Sequence, residues 1–305
     1  MTDGNAARGD NGLADPTTLL DMLPPERAGY AAPADLLAKR RQFVSGACDE
    51  SISRTEVALG SVPCHVLDGG DDVAVLYLHG GGYRMGSAAA YTGYGAELAR
   101  AAGAKVVLVD YRLAPESPFP AALRDAMAVY LEFRAQRPGL PVLVAGDSAG
   151  GGLAAALAVA AAQIGIAGPE AMALLSPWLD LRCDCSSYTS ATDTLFDRRT
   201  ALIAREAYLQ GHDGDDPLAS PLRADPVVFP HTLIQVGTAE TLLDDSLAFA
   251  RQLATAGVSC RLEAVAGRGH TWPLIEPGHP DSGMAVHTFG RFVRRIADTA
   301  RRRST

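Results

Sequence analysis

Ser148 lies in a glycine-rich segment whose pattern could make its hydroxyl a nucleophile. The segment Gly146-Asp147-Ser148-Ala149-Gly150 matches G-x-S-x-G, directly after the apolar run Pro141 to Ala145 and before a helical run that starts at Leu153. A serine at such a tight strand-to-helix turn needs small neighbours, because the backbone is strained and other chain segments pass close to it. The pattern therefore predicts a serine hydroxyl held outward over the edge of a sheet.

A phosphate-binding loop is the alternative interpretation of this segment, since glycine-rich turns at helix starts also bind phosphate. That function needs Gly-Lys-Ser/Thr at the end of the loop. This chain continues as Gly151-Gly152-Leu153 instead. We therefore prefer the nucleophile.

A second glycine-rich turn, His79-Gly80-Gly81-Gly82, follows the apolar run Val73 to Leu78. Consecutive glycines leave backbone N–H groups free to face a reacting carbonyl oxygen, which is what an oxyanion hole requires. The N–H of Ala149, the residue after the nucleophile, would add another donor. We expect the two turns to converge on one substrate oxygen, with His79 in an architectural role.

A general base and an acid are expected after the nucleophile, in the chain order serine, acid, histidine. His270 follows Gly267-Arg268-Gly269, just past the apolar run Cys260 to Val265, and is the candidate base. The segment after Thr232 to Val236 offers Glu240, Asp244 and Asp245 as acids. Glu240 is nearest the strand end and is preferred. Asp244 is the alternative, although carboxylates one turn later also suit a helix N-terminus.

Short apolar runs alternate with helical spans over most of the chain. Such runs are typical of parallel strands that are covered on both faces. The alternation predicts an α/β fold with a mostly parallel sheet, right-handed connections and helices on both faces. The predicted runs are Val73 to Leu78, Lys105 to Asp110, Val142 to Ala145, Ala171 to Leu175, Thr232 to Val236 and Cys260 to Val265.

Two segments are predicted to lie outside this core. Residues 1–50 form an N-terminal segment, with a disordered start up to Asp15 and helical spacing from Pro16 to Phe43. Residues 51–305 form the catalytic domain, and its longest interval between strands, about 181–228, is predicted to be an insertion. Long excursions in compact domains are often lids or binding loops. Both segments are therefore assigned to a helical cap.

Composition narrows the possible partners. The net charge of −8 argues against nucleic acid, whose binding depends on Lys and Arg neutralising phosphates. No apolar stretch approaches the roughly 18 residues of a membrane span, and no secretory signal is apparent. The five scattered cysteines are odd in number and read as free thiols, with no metal site expected. Together these features predict a cytoplasmic protein.

With these motifs assembled, the chain resembles the hormone-sensitive-lipase family of α/β-hydrolases, the microbial esterases with His-Gly-Gly-Gly upstream of Gly-Asp-Ser-Ala-Gly. The likeness covers about Val73 to Val293. It implies Ser148 as nucleophile, His270 as base, and the N–H groups of Gly81, Gly82 and Ala149 as the oxyanion hole. The acid departs from the pattern, because the family usually has Asp where Glu240 stands.

The resemblance implies a carboxylesterase that acts on short-chain acyl esters through an acyl-enzyme, without a cofactor. A lactone or amide hydrolase with the same triad is the alternative, since one fold hosts several such chemistries. A non-catalytic small-molecule receptor is a minor alternative, because related receptors lack the working histidine. A homodimer is expected by analogy alone.

Overall fold

The computed structural model describes residues 16–43, 52–193 and 195–304, and its centre is an eight-stranded sheet. The order across the sheet is β1-β2-β4-β3-β5-β6-β7-β8. Strand β2 pairs antiparallel with both β1 and β4, and all other pairs are parallel. The strands are β1 (Ser53–Leu59), β2 (Val62–Asp68), β3 (Ala74–Leu78), β4 (Lys105–Val109), β5 (Val142–Asp147), β6 (Ala171–Leu175), β7 (His231–Gly237) and β8 (Cys260–Val265).

Alternate residues of the central strands serve two separate apolar layers. In β3, Leu76 packs into the layer that contains the helix after β5, and Val75 and Tyr77 pack into the opposite layer. Side chains alternate between faces along a strand, so a strand that is apolar at every position must be covered twice. The predicted mostly parallel sheet with helices on both faces is therefore confirmed.

Helices occupy both sides of the sheet. In the described residues they are α1 (Pro16–Leu20), α2 (Ala34–Gln42), α3 (Thr92–Ala102), α4 (Ala121–Gln136), α5 (Ala149–Gln163), α6 (Ser187–Ser190), α7 (Arg198–Leu209), α8 (Leu243–Thr255), α9 (Trp272–Ile275) and α10 (Pro280–Ser304). Helices α4, α5 and α8 contribute to one apolar layer, and α3 and α10 to the other. Within the described ranges, no helix is long and apolar enough to cross a membrane.

The N-terminal segment is helical only in part. Helices α1 and α2 lie within the predicted span Pro16 to Phe43, but residues 24–33 between them are not helical. Pro24, Pro25 and Pro33 explain the interruption, because proline removes a backbone donor and restricts the residue before it. The predicted disordered start up to Asp15 lies outside the described residues, as does Cys48.

The long connection between β6 and β7 is fastened to the rest of the molecule at several points. Tyr208 of α7 stacks on Tyr83, with ring centroids 3.8 Å apart and planes 4° from parallel. At the other end, Asp244 of α8 accepts hydrogen bonds from the Ser186 hydroxyl at 2.6 Å and the Ser187 amide at 2.8 Å. The connection is thereby held beside the turn that follows β3 and beside the start of α8.

Candidate active site

The backbone at Ser148 is strained in the way that the glycine-rich pattern predicts. Ser148 has φ 54° and ψ −123°, between the end of β5 and the start of α5. This is an uncommon conformation for a residue with a side chain. Gly150 permits the tight turn, since a Cβ atom there would lie 2.0 Å from the carbonyl oxygen of Leu78. The turn presents the Ser148 hydroxyl at the carboxyl end of the sheet.

Ser148, His270 and Glu240 form one continuous hydrogen-bonded chain. The Ser148 Oγ atom lies 2.9 Å from Nε2 of His270, and Nδ1 of His270 lies 2.9 Å from Oε2 of Glu240. The other oxygen of Glu240 accepts the Gly237 amide proton at 3.1 Å. A carboxylate only accepts, so Nδ1 donates to it and Nε2 is left free to accept the serine proton. The imidazole is thus oriented for general-base chemistry.

Asp244, the alternative acid, lies elsewhere. Its carboxylate binds Ser186 and Ser187 as described above, and these hydrogen bonds lower its pKa. Asp245 is fully buried and accepts the amide protons of Leu179 and Asp180, each at 3.0 Å. Burial raises the pKa of Asp245 to about 8. Of the three carboxylates in this loop, Glu240 is the one hydrogen-bonded to His270.

The turn after β3 lines the same cavity as Ser148. Gly81 has φ 117° and Gly82 φ 62°, conformations that favour glycine, and a Cβ atom on Gly81 would lie 2.3 Å from the Met85 carbonyl oxygen. Ala149 is the first residue of α5, where the N–H groups of a helix have no partner within the helix. Gly81, Gly82 and Ser148 border one cavity, so the turn after β3 and the turn after β5 meet at the same space.

Asp147 ties the two glycine-rich turns together. Its buried carboxyl group accepts hydrogen bonds from the Gly80 amide and the hydroxyls of Tyr77 and Tyr91, each at 2.9 Å. Burial raises the pKa of Asp147 to about 6, against the opposing effect of these donors. The side chain that precedes Ser148 therefore fixes the first glycine of the other turn.

His79 is a buried residue that contacts the glycine turn and an aromatic ring. Its ring stacks on Tyr111 with centroids 4.2 Å apart, and its Nδ1 atom lies 2.8 Å from the Gly80 carbonyl oxygen. Burial lowers the pKa of His79 to about 4, so the ring is neutral at physiological pH and Nδ1 donates. The ring is thus held between Tyr111 and the backbone of the glycine turn.

Asp193 is a further polar residue at the site, and the sequence analysis missed it. The backbone amide of His270 donates to Oδ2 of Asp193, and Oδ1 accepts the Leu195 amide proton at 2.9 Å. The amides of Thr192 and Asp193 both donate to the Ala239 carbonyl oxygen at 3.1 Å. Asp193 lies in a polar stretch of the β6–β7 connection, where nothing in the local pattern distinguishes it from a solvent-exposed carboxylate.

A cavity of about 340 Å³ opens above Ser148 and His270. Besides Tyr91 and the turn with Asp147 and Ser148, four chain segments border it: the end of α2 with Phe43, the turn from Gly81 to Met85, the stretch from Leu195 to Ala204, and the stretch from His270 to Ile275. The Phe196 ring stacks on His270, with centroids 5.2 Å apart. Within the described residues, no group of three or more His, Cys, Asp or Glu side chains is placed to hold a metal ion.

Comparison with known proteins places the chain in a family. A family model for the α/β-hydrolase fold matches residues 75–274, which is more than half of the chain. A solved structure described as an esterase from the bacterial hormone-sensitive lipase family superimposes with a TM-score of 0.83 at 34% identity, covering 92% of this chain and 98% of that one. The chain therefore belongs to the α/β-hydrolase family, in its hormone-sensitive-lipase branch.

Two relatives have informative names. An acetyl-hydrolase from Streptomyces hygroscopicus is 40% identical over 229 residues, which span 73% of this chain and 76% of the relative. An ethyl acetate hydrolase from Pseudomonas putida is 32% identical over 257 residues, spanning 76% of this chain and 81% of the relative. The similarity thus covers most of each protein. These similarities support an ester-hydrolysing enzyme.

Proposed function

We propose that this protein is a carboxylesterase that cleaves short-chain acyl esters with Ser148 as nucleophile, His270 as general base and Glu240 as the acid. The observation that carries the proposal is the unbroken chain of two 2.9 Å contacts from Glu240 through His270 to Ser148. In a neutral imidazole, the nitrogen that faces Ser148 can accept a proton only if the other nitrogen donates. Glu240 fixes that arrangement.

The reaction follows from these positions. His270 Nε2 takes the proton of Ser148 as Oγ attacks the ester carbonyl carbon, and the oxygen of that carbonyl becomes an oxyanion. The amides of Gly81, Gly82 and Ala149 stabilise that charge. His270 then gives its proton to the departing alcohol, which leaves an acyl group on Ser148. Water, deprotonated by His270, releases the acid and restores the serine.

Short acyl chains are favoured by the size of the cavity and by the names of the relatives. A volume of about 340 Å³ is at the small end of the range for ligand pockets. The two relatives named above are hydrolases of acetyl groups and of ethyl acetate. We extend that preference for small esters to this chain. The α2 segment and the β6–β7 connection act as the cap over the substrate.

A serine variant tests the proposal. We expect S148A to lower kcat for 4-nitrophenyl acetate and butyrate by at least about 10³-fold, because all three steps pass through that hydroxyl. S246A is the matched control, since Ser246 is a buried serine on α8 that bonds the Leu242 carbonyl oxygen. An organophosphonate should label Ser148 in the wild type. Ester turnover retained by S148A, with no labelling, would overturn the proposal.

Location and assembly stay predictions from the sequence. We propose a cytoplasmic enzyme, in keeping with four free cysteines among the described residues. Burial raises the pKa of Cys64 and Cys183 to about 12, which keeps these thiols protonated. A homodimer is proposed by analogy, and sedimentation of the purified chain would test it.

A further inference from the structure

Arg84 comes two residues after the glycine turn and lines the same cavity as Ser148 and His270. Its side chain is half-buried, and its Nε atom is shielded from solvent without a hydrogen-bond partner. No described carboxylate forms an ion pair with it. The contrast with nearby arginines is clear, since Arg40 donates to both oxygens of Glu116 and Arg112 to both oxygens of Asp125.

Two cationic side chains and one carboxyl group among the described residues line the cavity, although the chain as a whole carries −8. Lys39, an exposed residue of α2, lines the cavity beside Arg84. The carboxyl group among the lining residues is that of Asp147, and its oxygens are already bonded to two tyrosines and the Gly80 amide. Burial lowers the pKa of Arg84, and the charge of Arg40 acts in the same direction, against the opposing through-space effects of Tyr30 and Asp35.

A guanidinium in this position is suited to one kind of ligand group. It stays charged, and its planar donors match the two oxygens of a carboxylate. A partly desolvated charge without a partner is unfavourable, so a ligand that supplies the partner gains more there than at an exposed arginine. The reacting ester itself lacks a negative charge in the ground state. The carboxylate must therefore be a second group of the substrate.

We propose that Arg84 binds a free carboxylate carried by the substrate, so that the preferred substrates are small monoanionic esters. Two forms have this chemistry: the half-ester of a short dicarboxylic acid, with the charge on the acyl side, and an acylated hydroxy acid, with the charge on the alcohol side. The inference rests on the proposed ester hydrolysis, and it adds a specificity residue to that site.

Two matched substrate pairs test this inference. Monoethyl succinate is compared with ethyl levulinate, and acetoxyacetate with acetonyl acetate; in each pair a methyl group replaces one carboxylate oxygen. Proton release at constant pH gives kcat/KM for all four esters. We expect the wild type to favour the anion at least tenfold in one pair, and that pair identifies the charged side. R84M should reduce this anion-to-neutral ratio of kcat/KM at least tenfold. The ratio for R84K should lie between those of the wild type and R84M.

The control is R41M, which removes a positive charge from an exposed residue of α2 that does not line the cavity. It should leave the ratio unchanged. Ratios near one in both pairs, or equal effects of R84M and R41M, would overturn the inference while ester hydrolysis stood. If R84M does not fold, the comparison of R84K with R41M decides in the same way.

Failure of the proposed function is separable from failure of this inference. If the wild type hydrolyses neither these four esters nor 4-nitrophenyl acetate and butyrate, the esterase proposal fails, and calorimetry on S148A then tests Arg84 alone. Tighter binding of monoethyl succinate or acetoxyacetate than of its neutral isostere, lost in the S148A/R84M double variant, supports the carboxylate site. Equal affinities within both pairs would rule it out.

Discussion

At the scale of single residues, the site is defined by which carboxylate reaches His270. Glu240 comes three residues after the end of β7, and its longer side chain spans from the Gly237 amide to the imidazole. Asp244, one helical turn later, points to Ser186 and Ser187 instead. The sequence favours Glu240 but does not exclude Asp244. The two residues are four positions apart, and the direction in which each side chain points depends on the fold of the loop and the helix start.

Replacing Glu240 by Gln is expected to lower kcat by roughly 10² to 10⁴-fold, the scale seen when a triad acid loses its charge. The amide cannot balance the imidazolium that forms as Ser148 attacks. D244N, the matched control, should keep kcat within about threefold of the wild type. Steady-state kinetics with 4-nitrophenyl butyrate measures kcat for both variants. A larger loss of kcat in D244N than in E240Q would assign the role of the acid to Asp244.

We infer a positioning role for Asp193, since it accepts a hydrogen bond from the backbone amide of His270 and does not contact the proposed reacting atoms. We expect D193A to lower kcat about tenfold with little change in KM, because a bond to the main chain orients the imidazole without touching the substrate. D193N, which keeps one acceptor oxygen, should lie between D193A and the wild type. A variant pair that changed KM alone would assign Asp193 to substrate binding.

At the scale of elements, periodicity located the strands better than the helix ends. The predicted runs Ala171 to Leu175 and Cys260 to Val265 agree with β6 and β8 at both ends. Helix α5, in contrast, starts at Ala149 and not at Leu153. Its first turn contains three glycines, which are weak helix formers, and Gly150 is there because the helix touches β3. Such a contact is visible only in the folded chain.

Asp193 and Arg84 were beyond sequence reasoning for the same reason. The role of Asp193 depends on a partner that is distant in the sequence, and the role of Arg84 depends on which side chains the fold leaves beside it. Asp193 meets a histidine amide 77 residues later. Arg84 differs from Arg40 and Arg112 in having no hydrogen-bonded carboxylate among the described residues, and no pattern along the chain indicates that difference. The glycine-rich turns, by contrast, could be predicted from the sequence, because their own glycines indicate the backbone conformation.

Asp245 links the start of α8 to the segment after β6, and its protonation should be visible in stability. Folding raises its pKa to about 8 from the usual value near 3.8. The folded state therefore holds the proton more tightly, and this contribution is full below about pH 4 and is lost as the pH rises toward 8. D245N is uncharged at every pH. The free energy of unfolding of D245N relative to the wild type should rise by more than about 1.4 kcal/mol from pH 5 to pH 8.

Urea unfolding of both proteins at several pH values measures this difference. D244N is measured for comparison. Hydrogen bonds from Ser186 and Ser187 lower the pKa of the Asp244 carboxylate, so the stabilisation that Asp244 gives the wild type is present above about pH 4. A difference between D245N and wild type that stayed flat from pH 5 to pH 8 would contradict a buried neutral carboxyl group at position 245.

At the scale of the whole molecule, the cavity belongs to no single element. Tyr91 borders it together with residues from α2, the turns after β3 and β5, the β6–β7 connection and the segment after β8. Its volume of about 340 Å³ is therefore set by how distant parts of the chain pack together. The sheet fixes the three parts that follow the ends of β3, β5 and β8. The α2 segment and the β6–β7 connection pack against them from outside.

Chain-length preference follows from that enclosure. With 4-nitrophenyl esters from acetate to hexadecanoate, kcat/KM should be highest between two and six acyl carbons and fall at least tenfold by twelve. A longer chain must leave the cavity and gains no further burial. S148A supplies the background rate for each ester. A continued rise of kcat/KM beyond eight carbons would show that the wall opens on the acyl side.

The bond between Asp193 and the His270 amide limits how this enzyme can be rebuilt. The β6–β7 connection also anchors to the Ala239 carbonyl oxygen, next to Glu240. Replacing the whole connection with one from a relative would remove a hydrogen-bond partner of the His270 amide and the contacts beside Glu240 in one step. A replacement segment from a relative should therefore start after Asp193, so that Thr192 and Asp193 keep their contacts.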